Sequence, residues 1–359
     1  MRIAVVALDT TGPLAQVTAL ARGLTRLAHK VVVYRTGPAR TPVGYRTVHL
    51  TPQADLAECV RELEEHWSDE RPDVVHAHDW TAGVASLLAA RRFDLPVVQS
   101  FHDVGGRLRR SGVPVHPRRE ALERLIVRQA AHVLAHGRVD LADLLRMGVP
   151  RSRVSPMPDI VDVDRFTPDG PSDARRMPHR LISVGRLRPT SGLDEVIDAL
   201  SAVPDTELVV VAGRAPGAGA EVGRLATFAH RHGVRARVRL ATDVPAQALP
   251  RLLRSADLLV STPASGPGVL EAMACGVPVV AAAASSAAAL VVDGVTGVVV
   301  PPADRPTLVR TLRRLLGSPA LRDAYGTAGA DRARTCYSPG CVAEKTARLY
   351  KSVTARKSS

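Results

Sequence analysis

Glu271 is the residue whose setting most suggests chemistry. It lies in Gly266-Pro267-Gly268-Val269-Leu270-Glu271-Ala272-Met273-Ala274-Cys275-Gly276, which runs on into Val277-Pro278-Val279-Val280-Ala281. A glycine-containing loop thus precedes a short helix with an acid in its first turn, and a glycine stop and an apolar strand follow. Such a unit offers a carboxylate and the N–H groups of Gly268–Ala272 to a ligand beyond the end of a sheet. The same carboxylate would also complement the helix dipole with no ligand present. Two more chemically capable residues follow apolar runs: His102 after Pro96-Val97-Val98-Gln99-Ser100-Phe101, and Arg186 in Val184-Gly185-Arg186-Leu187. His76 and His78 have the H-x-H form of a metal pair, but no third ligand follows at metal spacing, so they read as structural.

Composition sets what can hold these residues. The 359-residue chain is longer than one core usually serves, which predicts two α/β domains. Hydrophobic residues make up 45% and aromatics only 3%, so the cores must be built from Val, Leu, Ala and Ile, as in parallel sheets covered by helices. The net charge of +13 rests on 44 Arg against 4 Lys. That skew suggests a GC-rich bacterial coding sequence as much as a function, yet it still predicts attraction to phosphates and anionic headgroups. Four scattered cysteines with no C-x-x-C pair fit a reducing cytoplasm. The N-terminal Arg2–Leu8 run is too short for a signal peptide and no stretch would span a bilayer, so any membrane association is expected to be peripheral.

Periodicity predicts strands at 2–8, 31–35, 45–50, 73–76 and 96–100, with helices at about 14–28, 53–67, 81–91 and 118–130. On this reading His78 and His102 both sit just after strand ends. Gly12 lies in the loop after the first strand, where a turn alone would explain it. The Pro- and Asp-rich stretch 156–178 reads as a linker. A second series follows, with strands at 181–186, 207–212, 237–241, 257–261, 277–281 and 298–300, and a final helix at about 340–353 long enough to cross back onto the first domain. Strands alternating with helices in this way mean doubly wound parallel sheets with ligands at the carboxyl ends of the strands.

Six stretches, in order, resemble the retaining, nucleotide-sugar-dependent glycosyltransferases of family 4. They are Asp73–Trp80, Pro96–His102, Val161–Phe166, Val184–Leu187, Leu270–Gly276 and Asp293–Gly297. The resemblance covers nearly the whole chain. It implies the GT-B fold, with two Rossmann-like domains: an acceptor-binding domain at 1–165, a nucleotide-sugar-binding domain at 166–338, and a returning helix with a short tail at 339–359. It further implies metal-independent sugar transfer with retention, from a donor such as a UDP- or GDP-sugar, with no cofactor. Arg186, with Arg188, would hold the leaving diphosphate, and Glu271 the ribose. Gly12, Gly185 and the backbone of Gly268, Val269 and Leu270 would approach the donor, and His102 the transferred sugar.

Several positions depart from that family pattern. Where the family has a lysine before a glycine, this chain has Ser191-Gly192; where it has a glutamate eight residues before Glu271, this chain has Pro263 in a shortened loop. A single Gly12 stands for a glycine pair, and Ser285-Ser286-Ala287-Ala288-Ala289 replaces a stretch with glycines and an acid. These departures leave open a second reading, a catalytically degenerate protein acting as partner or regulatory subunit of an active glycosyltransferase. The arginines at 107, 109, 110, 118, 119, 124 and 128 read either as a solvated face or, as in relatives that glycosylate lipids, as a surface for anionic membrane at the inner face. They lack the interleaved aromatics that nucleic acid binding would use.

Overall fold

The computed structural model describes every residue except 9–13, 38–43, 52–54, 103, 111–114, 186, 188–190, 214–217, 263–267, 284 and 359. The chain divides into two compact units, Met1–Ile160 with Pro339–Ser359, and Val161–Ser338.

In the first unit the chain runs β1 (Arg2–Ala7), α1 (Leu14–Arg26), β2 (Lys30–Thr36), β3 (Arg46–Leu50), α2 (Leu56–Asp69), β4 (Val74–His78), α3 (Asp79–Phe93) and β5 (Val97–Phe101). It continues through α4 (Gly105–Arg110), α5 (Arg119–Gln129), β6 (His132–Ala135), α6 (Gly137–Arg146) and β7 (Val154–Pro156). All pairings are parallel, in the order β3-β2-β1-β4-β5-β6-β7. The order reverses between β1 and β4, and the crevice beyond that switch point is where such sheets bind ligands. β4 extends two residues past the expected end at His76. Ala77 and His78 stay in register with Val6 and Ala7 of β1, and both are buried, so the histidine does not end the strand. His78 is therefore the last residue of β4, and only His102 follows its strand directly.

The second unit runs β8 (His179–Gly185), α7 (Leu193–Leu200), β9 (Thr206–Ala212), α8 (Ala218–Arg231), β10 (Val238–Ala241), α9 (Leu249–Arg254), β11 (Leu258–Ser261) and α10 (Val269–Ala274). After these come β12 (Val279–Ala282), β13 (Gly297–Val300), α11 (Arg305–Leu316) and α12 (Pro319–Tyr337). Its parallel sheet has the order β10-β9-β8-β11-β12-β13, with the switch point between β8 and β11. Both faces of the sheet are covered by Val, Leu and Ala clusters, the environment the composition implied.

The final helix, α13 (Pro339–Ser358), belongs to the first unit and packs along α1. Val342, Ala343, Ala347, Tyr350 and Val353 are buried with Val17, Leu20, Ala21 and Leu24. Gly23 permits the approach, since a Cβ there would stand 2.5 Å from the Pro339 carbonyl oxygen.

Candidate active site

In the first unit the carboxyl ends of β4, β5 and β6 gather four histidines. His76 uses both ring nitrogens, Nδ1 against the Tyr350 hydroxyl at 2.6 Å and Nε2 against Ser100 Oγ at 2.8 Å. It is fully buried, which is the structural role the sequence suggested. His78 Nδ1 lies 3.1 Å from His102 Nε2, with the two rings 15° from parallel. The backbone N–H of His102 points to Asp79 Oδ1 at 3.4 Å, and Asp79 opens α3 with φ +67°, a conformation that costs a non-glycine residue about 1–3 kcal/mol. The His136 ring centroid is 4.1 Å from that of His102, and His136 Nδ1 meets Asp159 Oδ1 at 3.2 Å. Burial pushes His76 down to about 3 and holds His78 and His102 well below the usual histidine range, with neighbouring imidazoles adding to the effect. These rings are therefore neutral at physiological pH. Among the described residues no group of three His, Cys, Asp or Glu side chains could hold a metal ion. His136 and Asp159 were not singled out from sequence; the only signal was the short apolar run 131–135 ending in a histidine.

In the second unit Gly185 closes β8, and the cavity beside it is lined by Ser183, Leu187, Ser191, Leu193 and Thr262. The Ser191 hydroxyl is buried with no hydrogen-bond partner among the described residues. Gly268 caps α10 with φ +102°, and its N–H donates to Glu271 Oε2 at 3.0 Å. Ala272 N–H is bonded to the Gly268 carbonyl at 2.9 Å, the first intrahelical bond of α10, so the donor set is narrower than Gly268–Ala272 and the first-turn N–H groups of Val269 and Leu270 belong to it. Val269 and Leu270 bury their side chains, which fixes that turn against the sheet. Gly12, Arg186, Arg188 and Pro263 lie outside the described residues.

Residues 11–159 match the family profile described as glycosyl transferase 4-like domain, and residues 169–332 match glycosyl transferases group 1. The chain is 32% identical to a D-inositol 3-phosphate glycosyltransferase of Xylanimonas cellulosilytica, over 97% of this chain and 93% of that one. The chain belongs to the group 1, family-4-like glycosyltransferases. This glycosyltransferase also superposes on sucrose-phosphate synthase from Thermosynechococcus elongatus, with TM-score 0.79 and 21% identity over 99% of this chain and 100% of that one. Anabaena HepE in complex with UDP and glucose gives TM-score 0.80 and 20% identity over 98% and 100%. At those identities the two likenesses establish the GT-B fold.

Two stretches singled out from the sequence, Ser285–Ala289 and the arginine run, have a clear local structure. Ser285 bonds the Ala282 carbonyl at 2.6 Å and accepts from Ala288 N–H at 3.3 Å, and Ala287 is fully buried, so the stretch closes on itself as a capped 3-10 turn. The arginine run is not one uniform face. Arg109 pairs with Glu120 at 3.1 Å and Arg119 with the buried Glu123 at 2.7 Å, while Arg118, Arg124 and Arg128 are exposed around Leu125, itself 44% exposed. The side chains of Arg107 and Arg110 lie outside the described set. Among the described residues no helix is long and apolar enough to cross a membrane.

Proposed function

We propose that this protein moves a sugar from a nucleoside-diphosphate donor to an acceptor hydroxyl with retention at the anomeric carbon, without a metal or cofactor. The observation that carries the reading is the Gly268–Glu271 turn, seated after β11 beside the β8 switch point in a chain of this family. Breaking the anomeric C–O bond puts negative charge on the departing diphosphate, and N–H groups and cations held in advance stabilise it. The first-turn N–H groups of Val269 and Leu270, the backbone at Gly185, and Arg186 with Arg188 take that role on the second unit. Glu271, whose carboxylate also accepts from the Gly268 N–H, holds the ribose. His102, on the first unit, meets the transferred sugar. HepE, crystallised with UDP and with UDP-glucose, makes UDP-glucose the first donor to try. The name of the Xylanimonas relative makes D-inositol 3-phosphate the first acceptor.

The degenerate reading keeps one specific support: at the family's lysine position this chain has Ser191, a buried hydroxyl and not a cation. Calorimetry with UDP and GDP separates the two. Binding of one nucleotide, weakened in Glu271→Ala, supports the enzyme; no heat at millimolar nucleotide favours a partner subunit.

A further inference from the structure

The contact between His78 and His102 carries more information than its length. A neutral imidazole has one N–H and one acceptor nitrogen, so a bond between two of them takes one of two forms. Either His78 donates from Nδ1 to Nε2 of His102, or His102 donates from Nε2 to Nδ1 of His78. The two forms differ at the remaining nitrogens. In the second form the proton of His78 sits on its Nε2, an atom that is buried without a hydrogen-bond partner among the described residues. That form buries an N–H with nothing to receive it, whereas the first leaves only an unused lone pair there. Orphaned buried N–H groups are the rarer and costlier defect.

We propose that His78 is a positioning residue that fixes His102 as its Nδ1–H tautomer, so that the ring nitrogen left for a ligand is a hydrogen-bond donor. The sugar contact rests on the function proposed above, but the tautomer does not. Burial keeps both imidazoles neutral, so the doubly protonated form does not compete at physiological pH. Two other contacts hold the His102 ring and backbone in place: the His136 ring at 4.1 Å, anchored in turn by Asp159, and the Asp79 carboxylate facing the His102 backbone N–H. A donor here recognises a hydroxyl oxygen of the sugar. It cannot take a proton from an acceptor, so His102 binds and orients and does not act as a base.

The direct test is the tautomer itself. Imidazole 1H–15N correlation spectra of the full chain at pH 7.5, with His102 identified by its loss in His102→Gln, should show Nδ1 protonated and Nε2 bare. The opposite pattern overturns the proposal. The kinetic test uses UDP-glucose hydrolysis or transfer. His78→Asn keeps an N–H donor near the position of Nδ1 and should retain kcat within a few-fold, while His78→Leu should lower kcat by on the order of 10²-fold with KM little changed. Equal losses in the two variants, or none in His78→Leu, reject the positioning role. If UDP does not bind at all, the functional reading fails, and the spectra still decide the tautomer.

Discussion

Gly268 lies against Val184: a Cβ added to the glycine would stand 2.5 Å from the Val184 Cβ, closer than two such atoms ever pack. The turn that presents Glu271 is thus seated directly on Val184, the penultimate residue of β8. Gly268→Ala combines that clash with a φ of +102°, and should cost roughly 2–5 kcal/mol of stability in the second unit and abolish nucleotide binding. Val184→Gly together with Gly268→Ala takes away the Cβ that stands in the way and should recover the steric part, less the cost of Val184→Gly alone, but not the backbone part. Urea unfolding with UDP calorimetry on both variants checks this. A Gly268→Ala protein of unchanged stability would show that the turn is not seated as described.

A second expectation concerns the other end of the same strand. Arg180, 1% exposed, donates from Nε to Glu207 Oε1 at 2.7 Å and from Nη2 to the Ala174 carbonyl at 2.6 Å, and also bonds Ser255. Arg180→Leu leaves Glu207 buried without its cation and should destabilise by about 3–5 kcal/mol. Arg180→Leu with Glu207→Leu should return most of that loss, because the desolvation of both charges is removed together. Because the pair is remote in sequence from the Gly268 turn and at the amino end of β8, nucleotide affinity per folded molecule should not change. Denaturant midpoints and calorimetry separate the two effects.

The histidine array sets a pH dependence whose sign follows from proton counting. In the unfolded chain these imidazoles protonate near their ordinary value of about 6.5. In the folded chain His76 resists protonation down to about 3, and His78 and His102 are also held low by burial. Below about pH 6.5 the unfolded chain therefore binds more protons, and stability falls as pH falls. Each imidazole kept neutral contributes a slope of about 1.4 kcal/mol per pH unit, with the full stability present above that range. Urea unfolding of the first unit at pH 7.5, 6.5 and 5.5 should show the loss, and His76→Asn should reduce it by one group's share. A flat profile over this window would contradict the burial of the three rings.

How much of this was legible in the sequence depends on the range of the interactions. The apolar runs within β1, β8 and β9 announce themselves because a strand buried on both faces is mostly apolar, the buried Arg180–Glu207 pair at the amino ends of β8 and β9 being the exception. Glu271 was legible because its capping bond spans three residues. β6 and β7, four and three residues long, carry too little pattern to be told from a loop, so the reading passed over them. With β6 went His136, whose partners His102 and Asp159 are adjacent only through the fold. The tie of His76 to Tyr350 spans 274 residues and exists only because α13 returns to the first unit. No local periodicity could reveal it. In the arginine run, composition suggested one basic surface, but which arginines face water depends on which of them meet Glu120 and Glu123 of α5.

That division of labour among the arginines gives the last expectation. Arg118, Arg124 and Arg128 are exposed, and Leu125 lies among them, seven residues from Arg118 and three from Arg128, hence on one helical face. If this face meets anionic lipid, each arginine near the surface contributes about 1 kcal/mol, so replacing all three by Gln should lower vesicle partitioning on the order of 100-fold. Binding should also vanish on neutral vesicles and weaken sharply at high salt, since exposed charges are screened over about 8 Å already at physiological ionic strength. Arg119→Gln should behave differently. Its partner Glu123 is fully buried and also accepts from the Gly105 N–H at 2.9 Å, so losing Arg119 strips a buried carboxylate and lowers stability. Co-sedimentation with phosphatidylserine-containing and pure phosphatidylcholine vesicles, run beside melting curves, distinguishes the two kinds of arginine. Equal sedimentation of the parent and the triple variant would assign the run to solvent.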